Sequence, residues 1–166
     1  MKLNVSSVVA MFLIAMLLCS PLLVFQAKSS YMSKLYPISD SWVEAEFPND
    51  THGSDNNLRV KSDSRTRRSY LKFDLNSIPN GKTITSVKLY LYCTYVDANP
   101  SVEIYVHETG DDWNEASITW NNAPTVGASI TSISVGGTGR YYCWDITLYG
   151  QTQYLGDKIL SVVVKL

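Results

Sequence analysis

The chain has 166 residues, 17% of them charged, and its formal net charge at pH 7 is -1. This length is enough for one domain with a hydrophobic core and not for two. The near-neutral charge excludes the strongly basic surface typical of nucleic-acid-binding domains, so nucleic acid is not an expected partner.

The N-terminal segment has the pattern of a secretory signal peptide. Lys2 precedes an almost wholly apolar run over residues 8–25, which predicts cleavage near Ala27. An uncleaved anchor is the alternative, because a run of this length nearly spans a bilayer. We therefore expect a signal peptide or anchor over residues 1–27, a linker over 28–35 and an exported domain over 36–166. That domain would be secreted or held at the cell surface, with membrane contact only if the segment stays uncleaved.

Beyond Tyr31 the sequence shows short alternating apolar runs separated by turn clusters, with no sustained helical periodicity. The predicted strands cover residues 41–45, 58–61, 69–75, 86–95, 102–107, 117–120, 128–135, 140–146 and 159–164. Loops rich in Gly, Pro, Asn and Asp separate them, including one over 150–157. This succession of short strands predicts an all-β fold, most plausibly a jelly-roll β-sandwich.

The most distinctive stretch is W-N-E-A-S-I-T-W-N-N-A-P at residues 113–124. Burying one aromatic side chain is worth roughly 2–3 kcal/mol, so Trp113 and Trp120 should pin a loop and the strand over 117–120 to the interior. The turn from Asn121 to Pro124 should reverse the chain. Glu115 is expected to accept backbone hydrogen bonds that fix the loop.

Cys93 and Cys143 are the two cysteines of the exported part, where an oxidising compartment favours a disulfide. Strand alternation argues against that bond. It places Cys93 on an inner face with Leu91, whereas Trp144 points inward and Cys143 outward. Two free thiols are the favoured interpretation, and the disulfide stays open as the alternative.

The same alternation predicts a set of outward side chains that is basic and aromatic. Its members are Arg59, Lys61, Arg68, Tyr70, Lys72, Lys88, Tyr90 and Tyr92. Aromatic rings stack on the C–H surfaces of sugars, and carboxylated sugars pair with Lys or Arg. The set therefore predicts a carbohydrate-binding face that favours acidic glycans. The alternative is that Tyr and Lys are simply common on exposed strand faces.

Catalysis and calcium binding are weaker hypotheses. A glycosidase needs two carboxyl groups roughly 5–10 Å apart, and the acids from Glu103 to Glu115 are better explained as loop residues, so no catalytic residue is predicted. Jelly-roll modules often hold a structural Ca²⁺ through carboxylates, and Asp40 and Asp145 are the candidate ligands. Asp74 and Asp145 are also expected to accept backbone hydrogen bonds at strand ends.

Four stretches in order resemble one family of modules. They are R-S-Y-L-K-F-D-L-N-S-I-P at 68–79, I-T-S-V-K-L-Y-L-Y at 84–92, the stretch at 113–124, and Y-C-W-D-I-T at 142–147. This combination closely resembles the DNRLRE-type modules, grouped with carbohydrate-binding module family 96 and with the disaggregatase-related repeats of archaeal surface proteins. The structural motif residues are Phe73, Asp74, Trp113, Glu115, Trp120, Asn121, Pro124, Trp144 and Asp145. The resemblance covers Tyr36 to Leu166 and implies a secreted jelly roll that binds glycans, alginate among them, and is usually attached to lyases, glycosidases or surface-layer proteins.

One departure from that family concerns the end of the chain. Such modules usually continue past the strand at 159–164 to a final strand, whereas this sequence stops at Leu166. We therefore expect a jelly roll that lacks its last strand, with a sheet edge that is open or filled by another segment. The first hypothesis is an exported, non-catalytic module for extracellular or cell-envelope polysaccharide. The second is a surface-layer or adhesion element whose open edge binds partner chains, and the third is an accessory part of a disaggregatase-like enzyme.

Overall fold

Seven β-strands and one short helix make up the described part of this computed structural model, residues 32–97 and 101–166. The predicted signal peptide or anchor and residues 28–31 of the predicted linker lie outside the described residues. The elements in chain order are β1 (Ser39–Glu44), β2 (Arg67–Asp74), β3 (Lys88–Cys93), β4 (Val102–Glu108), β5 (Ser129–Val135), β6 (Arg140–Asp145), α1 (Thr147–Leu155) and β7 (Ile159–Lys165). No helix within these described ranges has the length and apolar character to cross a membrane.

The strands form two antiparallel sheets. The larger sheet has the order β1-β2-β7-β4-β5, and the smaller sheet pairs β3 with β6. Alternating apolar residues of both sheets meet in one core, with Leu71 and Val162 from the larger sheet and Leu89 and Trp144 from the smaller. The indole N–H of Trp144 donates to the carbonyl of Ile104 across this interface at 3.0 Å, so the ring is buried with its donor satisfied. The predicted all-β sandwich is confirmed.

Residues 113–126, which we call the tryptophan segment, cover the outer face of the larger sheet over parts of β1, β2 and β7. Ile118 of this segment packs against Val43, Tyr70 and Val163 in a second buried cluster. Trp113 and Trp120 pack against the same cluster. The prediction that two tryptophans anchor this stretch is confirmed, but the anchor lies on the outer side of one sheet and not between the sheets.

The tryptophan segment is folded as turns and not as the predicted strand over 117–120. The amide of Ile118 donates to Asn114 at 2.8 Å, and the amide of Ala123 donates to Thr119 at 2.9 Å. These local hydrogen bonds satisfy the backbone without a partner strand. The prediction of a strand over 58–61 is also wrong, because Lys61 makes only an isolated bridge to Arg67.

The helix α1 replaces most of the loop predicted over 150–157. Its interior contains Gly150, and because glycine has a low helix propensity, the sequence gives no clear signal for a helix here. The glycine is required by packing, since a Cβ at this position would lie 2.7 Å from a methyl group of Val87. Tyr154 on the same helix is buried in the core. Tertiary packing therefore stabilises a helix that the local sequence disfavours.

β7 is paired along both of its sides, so the larger sheet has no vacant position next to it. Tyr70 of β2 faces Val163 of β7, and Val106 of β4 faces Val164 of β7. Within the described residues, the outermost strands of the larger sheet are β1 and β5. Because β2 and β4 occupy the two sides of β7, the expected open sheet edge is not beside this strand.

The two cysteines of the smaller sheet are free thiols on opposite faces. Cys143 pairs with Tyr90, which is exposed, whereas Cys93 packs against the core. Two side chains on opposite faces of adjacent strands cannot be joined by a disulfide. The interpretation based on strand alternation is confirmed.

Candidate functional site

The structure divides the eight predicted binding residues between opposite sides of the sandwich. Three of them, Lys88, Tyr90 and Tyr92, lie on β3 of the smaller sheet. The other five lie on β2 of the larger sheet or in the loop that precedes it: Arg59, Lys61, Arg68, Tyr70 and Lys72. The predicted single face therefore does not exist, and each side must be considered separately.

On the larger sheet, the prediction that Tyr70 is available to a ligand is wrong. Its side chain points away from the smaller sheet, as alternation predicted, but it is 0% exposed because the tryptophan segment covers it. Its hydroxyl donates to the carbonyl of Pro124 at 3.1 Å, and its ring meets that of Trp113 edge-on at 6.0 Å between centroids. Burial raises the pKa of the Tyr70 hydroxyl. Tyr70 therefore anchors the covering segment.

Lys72 and Arg68 flank Tyr70 and also contact the tryptophan segment. Lys72 Nζ donates to the carbonyl of Trp113 at 2.6 Å and lies 4.7 Å from the centre of its ring. The Arg68 guanidinium lies 4.3 Å from the centre of the Trp120 ring. Both contacts are cation–π interactions. These contacts explain why Arg68 and Lys72 lie on the outer face of β2 and are both only partly exposed to solvent.

Arg59 and Lys61 lie in the loop between β1 and β2. The guanidinium of Arg59 lies 4.8 Å from the centre of the Trp42 ring. Lys61 Nζ forms an ion pair with Asp63 at 2.8 Å. Each cation therefore already has a partner in the protein, and a binding role for either residue stays a prediction.

The smaller sheet presents three exposed tyrosines on its outer face. Tyr90, Tyr92 and Tyr141 are 57%, 52% and 68% exposed. Strand pairing places Tyr92 directly opposite Tyr141, with ring centroids 5.0 Å apart in an edge-on arrangement, and Tyr90 opposite Cys143. A hydrogen bond with Cys143 raises the pKa of Tyr90. We call Tyr90, Tyr92 and Tyr141 the tyrosine face.

Opposite charges occupy one end of the tyrosine face. Lys88 is paired across the two strands with Asp145. Asp145 accepts hydrogen bonds from the hydroxyl and the amide of Thr147 at 2.6 and 3.0 Å, and these two bonds, with a smaller contribution from Lys88, lower the pKa of Asp145. The predicted backbone-binding role of Asp145 is confirmed. Because the charge of Asp145 opposes that of Lys88, this face is aromatic without being strongly basic.

Tyr141 was absent from the predicted binding set, although the sequence contained a signal for it. The alternation that turns Cys143 outward also turns Tyr141 outward, two residues earlier on the same strand. What the alternation cannot indicate is that β6 pairs with β3. That pairing brings Tyr141 next to Tyr92 and doubles the width of the aromatic surface.

The remaining motif residues have structural roles. Glu115 accepts a hydrogen bond from the amide of Asp40 at 3.3 Å, and Asp74 accepts one from the amide of Asn76 at 2.8 Å, as predicted. Burial, followed by the nearby charge of Glu115, raises the pKa of Asp40. The Asn121 amide donates to the carbonyl of Pro48 at 3.2 Å and ties the tryptophan segment to the loop after β1. Phe73 packs against the core.

The two predicted calcium ligands lie on strands of different sheets. Asp40 is on β1 of the larger sheet and Asp145 on β6 of the smaller. Among residues 32–97 and 101–166, no three His, Cys, Asp or Glu side chains are grouped so that they could hold a metal ion. The structure therefore gives the calcium hypothesis no ligand set.

The model of carbohydrate-binding module family 96 matches residues 31–166. A gellan lyase from Bacillus sp is 28% identical over 140 residues, which are 81% of this chain and 6% of the lyase. The chain thus spans a small fraction of the length of that relative.

Proposed function

Because the chain belongs to carbohydrate-binding module family 96, we propose that it binds extracellular or cell-envelope polysaccharide through the tyrosine face. The observation that carries this proposal is the group of three tyrosines, each more than half exposed, on the outer face of one two-stranded sheet. Contiguous exposed aromatic surface is uncommon on soluble proteins and marks interaction sites. The role is binding without catalysis.

The geometry of the tyrosine face suits an extended polymer. Side chains two residues apart on a strand are separated by about 6.6 Å, so Tyr90 and Tyr92 can contact successive sugar units along one strand. Tyr141 widens the surface across the strands, next to Tyr92. Tyrosine has only two side-chain torsions to immobilise and can both stack and hydrogen-bond, which suits it to sugar recognition.

The similarity to the gellan lyase supports the proposal that this chain is a small part of a larger polysaccharide-degrading system. A segment like this chain makes up 6% of that lyase, so most of the enzyme lies outside the matched region. We propose that the present chain likewise brings polysaccharide into contact with a partner enzyme or with the cell surface after export. Lys88, on the same outer face of β3 as Tyr90, stands opposite Asp145, which opposes its charge. The proposed preference for acidic glycans therefore needs a cation other than Lys88.

Affinity electrophoresis of the purified full chain in gels containing gellan, alginate or a neutral polysaccharide tests the proposal. We expect polymer in the gel to retard the wild type, and the variants Tyr90→Ala/Tyr92→Ala and Tyr141→Ala to migrate as they do without polymer. Tyr105→Ala is the matched control, because it removes an exposed tyrosine from β4 of the other sheet. Retardation that the tyrosine-face variants leave unchanged would contradict this site.

The second candidate function is a surface-layer or adhesion element that assembles through its sheet edges. In the described chain β1 and β5 each have a strand on one side only, and unpaired edges favour pairing with another chain. Size-exclusion chromatography over a range of concentrations separates the two candidates. A monomer that is retarded by polysaccharide supports binding, and a concentration-dependent oligomer without retardation supports assembly.

A further inference from the structure

A cavity lies on the opposite side of the sandwich from the tyrosine face. It has a volume of about 330 Å³ and opens between the outer face of β2 and residues 120–126 of the tryptophan segment. Arg68 lies on one side of it, and Trp120, Pro124 and Thr125 on the other. An arginine thus faces a cavity whose remaining walls are largely apolar.

Arg68 differs from Arg65 and Arg67, its neighbours in sequence, in having no acidic partner. Arg65 pairs with Glu46 at 2.8 Å and Arg67 with Glu44 at 3.0 Å. In the described residues no carboxylate lies within ion-pair distance of Arg68, and its Nε atom is buried without a protein hydrogen-bond acceptor. Because this Nε–H lacks an acceptor and no carboxylate is near, an anion that enters the cavity would gain a charge-assisted hydrogen bond.

The guanidinium of Arg68 is also held in a defined position. It stacks on the Trp120 ring at 4.3 Å, and its strand neighbour across the sheet is Val43 of β1. Lys165 of β7 adds positive charge to the same outer face, since it follows the inward-facing Val164. A planar guanidinium fixed in this way matches a carboxylate through two parallel hydrogen bonds. Little side-chain entropy would be lost on binding, because the stack already orders the side chain.

We propose that this cavity binds the carboxylate of a uronate residue, with Arg68 paired to the carboxylate and the apolar surface of Trp120 and Pro124 against the sugar ring. The inference rests on the proposed polysaccharide binding and assigns its acidic preference to the larger sheet. The domain then has two glycan contacts on opposite sides. The tyrosine face binds sugars without regard to their charge, and the Arg68 cavity selects those with a carboxylate. Two linked contacts raise the apparent affinity for a long polymer above that of either contact alone.

Calorimetric titration of the full chain with a short oligouronate and with its carboxyl-reduced, neutral counterpart tests the inference. We expect the wild type to favour the uronate by about tenfold, as one charge-assisted pair provides. Arg68→Gln should abolish the preference, and Arg68→Lys should reduce it because an ammonium lacks the bidentate geometry. Higher salt should weaken uronate binding and leave the neutral oligomer unaffected.

A second pair of variants covers the case in which loss of the Arg68–Trp120 stack unfolds the protein. Thr125 is exposed at the cavity, so Thr125→Glu places a negative charge there and Thr125→Gln is its matched neutral control. We expect Thr125→Glu to remove the preference for uronate and Thr125→Gln to retain it. Equal affinity of the wild type for the two oligomers, or a preference that folded Thr125→Glu protein retains, would overturn the inference.

These outcomes are independent of those for the tyrosine face. Tyr90→Ala/Tyr92→Ala should lower the affinity for acidic and neutral polymers alike, whereas the Arg68 and Thr125 variants should change only the ratio between them. If the tyrosine variants bind normally and the ratio still depends on Arg68, the tyrosine face is wrong and the cavity is correct. If the tyrosine variants lose binding and the ratio never changes, the cavity is wrong.

Discussion

Replacing Ile118 by alanine tests whether the tryptophan segment is a cooperative part of the fold. Ile118 is 1% exposed and contacts Val43, Tyr70 and Val163 on the outer face of the larger sheet. Truncating a buried isoleucine to alanine typically costs roughly 2–5 kcal/mol. That range is a large share of the roughly 5–15 kcal/mol by which domains are stable. We therefore expect a clear loss of stability from one side chain outside the main core.

The location of Ile118 also predicts how the loss is distributed. The core between the sheets does not include Ile118, so the sandwich can persist while residues 113–126 detach from β2. Hydrogen exchange followed by NMR should show fast exchange of the amides of Ile118 and Ala123, which bond within the segment, before amides of β7 are affected. Urea unfolding followed by tryptophan fluorescence then gives the global free energy of unfolding.

Two further variants calibrate the result. Ile118→Val removes one methylene and should cost roughly 0.5–1.5 kcal/mol. Leu148→Ala removes an apolar side chain that is 81% exposed on α1 and should change stability by less than about 0.5 kcal/mol. A wild-type urea midpoint for Ile118→Ala, together with slow exchange over residues 113–126, would refute the role assigned to this cluster.

Two other predictions concern the neighbourhood of Glu115. Gly53→Ala would place a Cβ 2.2 Å from the carbonyl oxygen of Glu115, so the two loops must separate. We expect this change to lower the free energy of unfolding by roughly 1–3 kcal/mol and with it the thermal midpoint. Gly110→Ala, where the nearest contact of the new Cβ is 3.8 Å away, should be tolerated, and equal thermal midpoints for the two variants would contradict the argument. Asp40→Asn should stabilise the protein at pH 7 and not at pH 3, because the raised pKa of Asp40 means that folding disfavours its charged form. Stability is therefore lost as the pH rises from the ordinary aspartate pKa of 3.8 through the raised pKa of the folded state. A difference in thermal midpoint that does not vary with pH would be incompatible with this cause.

Strand alternation was sufficient to predict which way side chains point. It placed Leu71 and Leu89 in the core and turned Cys143 away from Cys93, and each of these orientations is present in the structure. Alternation depends only on local backbone geometry, so a single strand is enough to define it. The same local rule explains why Asp74 and Asp145 were recognised as residues that cap strand ends.

Whether a sheet face is exposed to solvent depends on residues distant in sequence, and the predicted exposure of the outer face of β2 was wrong for this reason. Tyr70 points outward as expected, yet residues 113–126, more than forty positions further along the chain, bury it completely. Pairing of strands is equally non-local. Nothing in the alternation of β2 and β3 shows that they belong to different sheets, which is why Arg68 and Tyr90 were placed on one face. The helix α1 was missed for a related reason, since its Gly150 is explained only by the side chain of Val87.

The central position of β7 has a consequence for the rate of folding. Of the seven strands β7 comes last in the chain, and its partner β2 lies about ninety residues earlier in sequence. Pairings with such long sequence separation close large loops, and folds dominated by them reach the native state in milliseconds to seconds. Until β7 inserts, β2 and β4 each expose an unpaired edge to other chains. Newly made molecules are therefore most vulnerable to aggregation in the interval before their last strand closes the sheet.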